Sequence, residues 1–261
     1  MSAVVAHVAS SDGTRIGCHR SGTGPALVLV HGATAAHWSF RFLVPELVDR
    51  FTVYAIDRRG RGESGDAAEY AIEREFEDVA AVVDSLDGPV DVFGHSYGAT
   101  VALGAALLAE NVRRLVLYEP SPGLEVVPGA DLDRIEALVA EGERDGALTE
   151  ALHLFGLTPE EIDQLRASPT WHDRVAAANT VSREVRAEAA SDVDPARLHA
   201  LAAPVLLLLG EESPGWAREA TEQIAAALPD ARVAVLHGQG HVAIVTAPGL
   251  VAAELARFLS G

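Results

Sequence analysis

Val90-Asp91-Val92-Phe93-Gly94-His95-Ser96-Tyr97-Gly98-Ala99 decides the fold. Val90 to Phe93 is a short apolar run of strand length, and an Ala-rich helical pattern, Tyr97 to Ala109, opens immediately after Ser96. Between them lies G-x-S-x-G, in the order strand, sharp turn, helix that makes the pattern a nucleophile elbow. A serine there must occupy a strained turn for its hydroxyl to project above a sheet, and only small neighbours let strand and helix approach. Gly94, Gly98 and Ala99 provide that room. The helix amino terminus lends partial positive charge to an oxyanion forming beside Ser96.

The same alternation of apolar run and helical pattern extends outward from the elbow. Ala26 to Val30, Val53 to Ile56, Leu115 to Tyr118, Val205 to Leu209 and Val233 to Leu236 are further runs without polar alternation, as in strands covered on both faces. Trp38 to Val48, Phe76 to Leu86, Trp216 to Leu228 and Leu250 to Leu259 read as helices between them. The alternation predicts a parallel sheet with crossover helices. Ser10-Ser11-Asp12-Gly13 reads as a hairpin turn joining two opening strands, the second beginning at Arg15, so the sheet starts antiparallel and totals eight strands.

From Ser121 to Ala196 no strand pattern occurs. Leu132/Ile135/Leu138/Val139, Leu148/Leu152/Phe155 and Val175 through Val185 are helical instead, with Pro159 and Pro169 suited to helix starts. Residues 1–120 and 197–261 are therefore expected to form an α/β core and 121–196 a helical cap insertion. The insertion leaves from a strand's carboxyl end, where ligands of such sheets bind.

Composition narrows the partners. The formal net charge is −18, and all 20 basic residues are Arg, a balance that argues against nucleic acid or an anionic membrane surface. No apolar stretch reaches the ~20 residues needed to span a bilayer, and Met1 to Ser10 lacks the pattern of a signal peptide. A cytoplasmic protein acting on a small-molecule substrate is expected. Cys18, the single cysteine, excludes an internal disulfide and reads as a small buried residue of an early strand. No H-E-x-x-H or Cys-His cluster occurs, so neither a metal nor another cofactor is expected.

A second block completes an oxyanion hole. His31-Gly32-Ala33-Thr34 follows the Ala26 strand, where a loop amide joins that of the residue after the nucleophile, so Ala33 and Tyr97 are the expected donors. His31 reads as a hydrogen-bonding group that fixes the loop. With these blocks, with Asp57-Arg58-Arg59-Gly60-Arg61-Gly62-Glu63-Ser64 and with Gly240-His241, the chain resembles the α/β-hydrolase superfamily, in particular its small bacterial cap-bearing serine hydrolases and esterases. The resemblance implies an α/β-hydrolase fold, a structural role for the Asp57 loop and a catalytic histidine at the Gly240-His241 loop.

The histidine also follows from chain order, Ser then acid then His. His153 and His172 lie in the insertion, and His199 precedes the Val205 strand. His237 and His241 share the loop after the last strand, and His241, approached through Gly238-Gln239-Gly240, is favoured. The acid departs from the family pattern. Its usual place, three residues past Gly210, holds Ser213. Other members carry it one strand earlier, which here is Glu119; Glu211 and Glu212, near the usual place, compete with it, and a site without a conventional acid is the remaining alternative.

The expected activity is hydrolysis of an ester, thioester or lactone of a small, largely hydrophobic substrate through an acyl-enzyme. Leu124, Leu154, Phe155, Leu157 and Trp171 would line its pocket. The resemblance leaves open other chemistry on the same fold, namely a C–C hydrolase, perhydrolase, lyase or cyclase, and a non-hydrolytic ligand-binding module.

Overall fold

The computed structural model describes residues 4–121, 128–190 and 195–261. Eight strands form one sheet: β1 (Val4–Ala9), β2 (Arg15–Gly22), β3 (Ala26–Val30), β4 (Thr52–Ile56), β5 (Val90–His95), β6 (Val112–Tyr118), β7 (Val205–Gly210) and β8 (Ala231–Leu236). Their order is β1-β2-β4-β3-β5-β6-β7-β8. β1 and β2 pair antiparallel, as do β2 and β4; every later pairing is parallel. The expected α/β-hydrolase fold, with its antiparallel start, is borne out. The opening turn closes through Ser10 N to Thr14 O at 2.8 Å, with Gly13 at φ +85°.

Every residue of β5 and of β7 is buried; β7 is apolar up to its final glycine, while β5 buries Asp91 by pairing it with Arg113. β8 departs from that reading. As the edge strand it pairs with β7 alone, and Val233 and Val235 are exposed despite their apolar character. The helix Tyr97–Ala106 lies against Ile72–Asp84 so closely that a Cβ on Gly104 would sit 2.5 Å from the Phe76 ring. On the other face, Phe40, Leu43, Leu47, Phe93, Leu208, Ile244, Val251 and Leu255 share one core cluster.

Two helical expectations need correction. Trp38 to Val48 is not one helix but a 3₁₀ turn, His37–Phe40, followed by a short α-helix, Val44–Leu47. Pro45 lies in the first turn of that helix, because further inside it would lack a donor and clash with the preceding turn. Val175 through Val185 is likewise interrupted: a 3₁₀ turn, Ala177–Thr180, separates the helices Trp171–Ala176 and Val181–Ala190. Thr180 Oγ1 donates back to the Ala177 carbonyl at 2.9 Å. Pro159 is the first residue of the helix Pro159–Arg166, capped by Thr158 and Glu161, whereas Pro169 stands ahead of the cap residue Thr170.

Two compact units divide the chain. The first comprises Met1–Gly32, Ala36–Pro122 and Asp192–Gly261, and the second comprises Ala33–Ala35 and Gly123–Ser191. The helical unit has its own core of Leu132, Ile135, Leu148, Leu152, Ile162 and Val181. Leu154, Phe155, Leu157 and Trp171, expected as pocket residues, pack partly buried against that core. Trp171 is held further by its indole N–H on Asp145 Oδ2 at 2.6 Å and by Arg166 over its face at 4.6 Å. Leu124 lies outside the described residues. No helix of the described residues is long and apolar enough to cross a membrane.

Candidate active site

Ser96 stands between β5 and the helix Tyr97–Ala106 at φ +57°, ψ −130°, a conformation costing a non-glycine residue ~1–3 kcal/mol. The surroundings impose it. Ser96 N donates to the Tyr118 carbonyl of β6 at 2.9 Å, and its own carbonyl accepts from Ala99 N at 2.7 Å. A Cβ on Gly94 would lie 2.4 Å from the Gly98 carbonyl, and one on Gly98 would lie 2.3 Å from the His31 carbonyl. Both glycines are thus required by backbone approach. Ser96 itself is half-buried.

Gly32 lies against the elbow, its hydrogen occupying a place where a Cβ would be 3.0 Å from Ser96 Cβ and 3.6 Å from Ser96 Oγ. The loop is held from behind. Arg58 N donates to His31 Nε2 at 3.1 Å, which leaves the His31 proton on Nδ1 to donate to the Gly32 carbonyl at 2.9 Å. Burial first, then the Arg58 and Arg61 charges, push the His31 pKa well below its ordinary value, so the ring is neutral. Arg58 Nη2 also reaches the Gly32 carbonyl, at 3.4 Å. That carbonyl shares a trans peptide with the Ala33 N–H, which points the opposite way. Ala33, the expected donor, belongs by its contacts to the segment Ala33–Ala35 of the helical unit. Tyr97, the other, is the first residue of the elbow helix; the Arg58 guanidinium lies 4.5 Å over its ring, and its hydroxyl is 2.9 Å from that of Tyr70.

The carboxylate reaches the histidine from β6. Glu119, fully buried at φ +46°, follows the last residue of that strand, and its Oε2 accepts from His241 Nδ1 at 2.5 Å. A carboxylate only accepts, so the His241 proton sits on Nδ1 and Nε2 is left as a base. Glu119 Oε1 accepts from Gly210 N at 2.7 Å and from Ser213 Oγ at 2.5 Å. Ser213, three residues past Gly210, therefore binds the Glu119 carboxylate that arrives from the end of β6.

The loop carrying His241 is tied down by groups that sequence reading passed over. His95, beside Ser96, donates from Nε2 to the His241 carbonyl at 2.8 Å, and the two rings lie 4.8 Å apart. Tyr118, beside Glu119, donates to the Gly240 carbonyl and accepts from Ala243 N at 3.3 Å. Trp216 presents its ring edge-on to His241 at 5.2 Å. His95 and Tyr118 are visible in the sequence only as neighbours of Ser96 and Glu119, with no spacing that assigns them a partner.

The competing residues are elsewhere. The His237 side chain is 81% exposed against 20% for His241, and it contacts Glu211, itself exposed, at 3.3 Å. Glu212 is also exposed. Cys18 is buried, and burial, then the Asp57 charge, push its thiol up to about 12, which removes it as a nucleophile. Asp57 accepts from His37 N and Nδ1, Glu63 N and His19 Nε2 at 2.8–3.0 Å. Ligand atoms of His19, His37 and Asp57 lie within 4.8 Å of one another, a grouping the sequence reading missed. Each Asp57 oxygen already accepts one imidazole and one amide, so the cluster is complete as a hydrogen-bond network. A cavity of about 490 Å³, lined by Gly24, Pro25, Thr52, Pro89 and Arg113, opens at the amino ends of the strands, opposite the Ser96 edge.

This fold has known counterparts. The sequence pattern of the Alpha/beta hydrolase family matches residues 27–254. A crystal structure of an alpha/beta hydrolase from Sphaerobacter thermophilus is 37% identical, covers 97% of this chain and 100% of its own, and superposes with a TM-score of 0.86. The 2-(acetamidomethylene)succinate hydrolase of Mesorhizobium japonicum is 29% identical over 91% of this chain and 89% of its own length. Lipase LipV of Mycobacterium tuberculosis is 31% identical over 74% of this chain and 62% of its own length. The chain belongs to the alpha/beta hydrolase family. In that broad sense it is a hydrolase.

Proposed function

We propose that the protein hydrolyses an ester, thioester or lactone of a small, largely hydrophobic substrate through an acyl-enzyme on Ser96. The observation that carries this reading is the 2.5 Å contact of His241 Nδ1 with Glu119, which leaves Nε2 as a base on the loop that His95 ties to the elbow. His241 Nε2 takes the Ser96 proton as Oγ attacks the substrate carbonyl carbon. The amides of Ala33 and Tyr97 hold the oxyanion of the tetrahedral intermediate. The imidazolium, stabilised by Glu119, then returns the proton to the leaving alkoxide or thiolate. Water, deprotonated by His241, attacks the acyl carbon and releases the acid and free Ser96. The fixed peptide between Gly32 and Ala33 supports the oxyanion role, because donors that need no reorganisation stabilise the transition state most.

Substrate choice falls to the helical unit in this reading. It departs from the chain four residues after Glu119 and includes Ala33–Ala35, and its partly buried Leu154, Phe155 and Leu157 are apolar. The relative from Mesorhizobium japonicum is named for a succinate derivative, so the test addresses the bond that is cleaved. The test is a series of p-nitrophenyl esters of graded chain length, with a fluorophosphonate probe, on the wild type and Ser96→Ala. Turnover should fall by ~10³-fold or more in the variant, with the melting temperature unchanged and labelling abolished. Turnover within tenfold of wild type would exclude Ser96 as nucleophile. Labelling of Ser96 without turnover of any ester would move the reading to a different bond.

A further inference from the structure

Ser213 has a position that the serine, histidine and glutamate alone do not explain. The turn from β7 bonds Ser213 N to the Gly210 carbonyl at 3.3 Å, folding the serine back over the glycine. Its hydroxyl lies so close that a Cβ on Gly210 would be 2.5 Å from Ser213 Oγ and 2.6 Å from the Gln239 carbonyl. From there it meets Glu119 Oε1, which Gly210 N also meets. Glu119 comes from a different strand end, with its amide on the Leu208 carbonyl at 3.2 Å and a backbone in the left-handed region. Its carboxylate thus crosses from the end of β6 to the end of β7 before it touches His241.

We propose that Ser213 is a positioning residue for the acid. With Gly210 N it clamps Oε1 of Glu119, so that Oε2 presents one fixed lone pair to His241 Nδ1. The inference rests on the reading of Ser96, His241 and Glu119 as a working unit. A carboxylate oxygen can accept both donors at once, and bonds to an ionised acceptor are short and strong. The backbone donor alone leaves the carboxylate free to swing about its last torsion, which is broad. The hydroxyl removes that freedom and draws negative charge toward Oε1. Its loss therefore has two consequences. The imidazole is aligned a smaller fraction of the time, and when aligned it faces a more concentrated charge.

The test is a double-mutant cycle on Ser213→Ala and Glu119→Gln, read by p-nitrophenyl acetate turnover and by the rate of fluorophosphonate labelling of Ser96. In the wild-type background Ser213→Ala should lower kcat by about 10- to 100-fold, the range for a hydrogen bond to a charged group, while KM changes less than twofold. The midpoint of the acidic limb of the pH profile should move up, because the more concentrated carboxylate charge favours the imidazolium. Ser213→Thr, which keeps the hydroxyl, should restore both. In the Glu119→Gln background Ser213→Ala should cost less than threefold, since the serine acts only through the glutamate. Equal losses in both backgrounds would mark Ser213 as ordinary structure, and no loss in the wild type would dismiss it altogether. A silent Glu119→Gln would instead overturn the functional reading beneath the proposal. A large effect of Glu119→Gln beside a silent Ser213→Ala would overturn this inference alone.

Discussion

Glu119 and Glu212 compete for one role, as do His241 and His237, and their surroundings separate them. A carboxylate that is fully buried and accepts three hydrogen bonds can hold an imidazole in one tautomer, whereas an exposed one shares its position with water. Glu119→Gln is expected to lower turnover on the order of 10³-fold or more, as loss of a triad acid does. Glu212→Gln should leave it within twofold, and His241→Ala should abolish activity that His237→Ala retains. Steady-state kinetics on the four variants checks these outcomes, and a dead His237→Ala beside an active His241→Ala would reverse the assignment. At this scale the sequence carried the residue types and their order. It did not carry the contacts, because Ser213 and His241 stand 94 and 122 residues along the chain from Glu119.

The elbow works as an element because its parts approach closer than any side chain permits. A Cβ on Gly98 would lie 2.3 Å from the His31 carbonyl and 2.4 Å from that of Val30, so Gly98→Ala must displace backbone. We expect it to destabilise the protein by at least the ~1–3 kcal/mol of an overpacked core, with loss of activity. Gly146→Ala is the contrast. It sits inside the helix Arg144–Leu154 with the nearest neighbour of its Cβ at 3.9 Å, and should gain about 0.5–1 kcal/mol by restricting the unfolded chain. Urea denaturation of both variants decides it; equal midpoints for the two would mean that the elbow relaxes without cost. The elbow is legible in the sequence because strand, turn and helix are contiguous. The break within Trp38 to Val48 is not, because apolar periodicity continues across a proline that the backbone cannot accommodate mid-helix.

Among the described residues, several buried ionisable groups are paired across the fold in ways hidden from the sequence. Arg58 meets Glu75 at 3.2 Å and Arg59 meets Asp78 at 2.7 Å, all four side chains buried. His31 and Asp57 are two buried groups that contribute to the response to acid. His31 stays neutral in the fold because burial, with the Arg58 and Arg61 charges, lowers its pKa, while in the unfolded chain it protonates near ~6.5. Below that pH the unfolded state binds a proton that the folded state does not, so stability falls as pH falls. Burial alone would raise the Asp57 pKa, but donors from His37 and Glu63 overcome it and hold the carboxyl below the usual carboxylate range. Its contribution is complete above ~4 and is lost as pH falls from there toward its folded value. The urea midpoint should therefore drop between pH 7 and pH 5 and again below ~4. His31→Gln should flatten the first drop and leave the second. A wild-type midpoint that falls no more than the variant's between pH 7 and pH 5 would show that His31 is not the group responsible.

By itself the sequence determined the sheet, its antiparallel start, the elbow and the family, since each is encoded in local periodicity or in contiguous residues. Ser96 and the Gly240-His241 loop could be read for the same reason: each directly follows a strand. Only the tertiary structure decided that Glu119 meets His241, that Ser213 meets Glu119, and that His31 and Arg58 hold the Gly32 carbonyl. These contacts join separate strand ends, and where strand ends meet depends on the order of strands in the sheet. That order, with β6 beside β7 although more than 80 residues separate them, is a property of the folded chain.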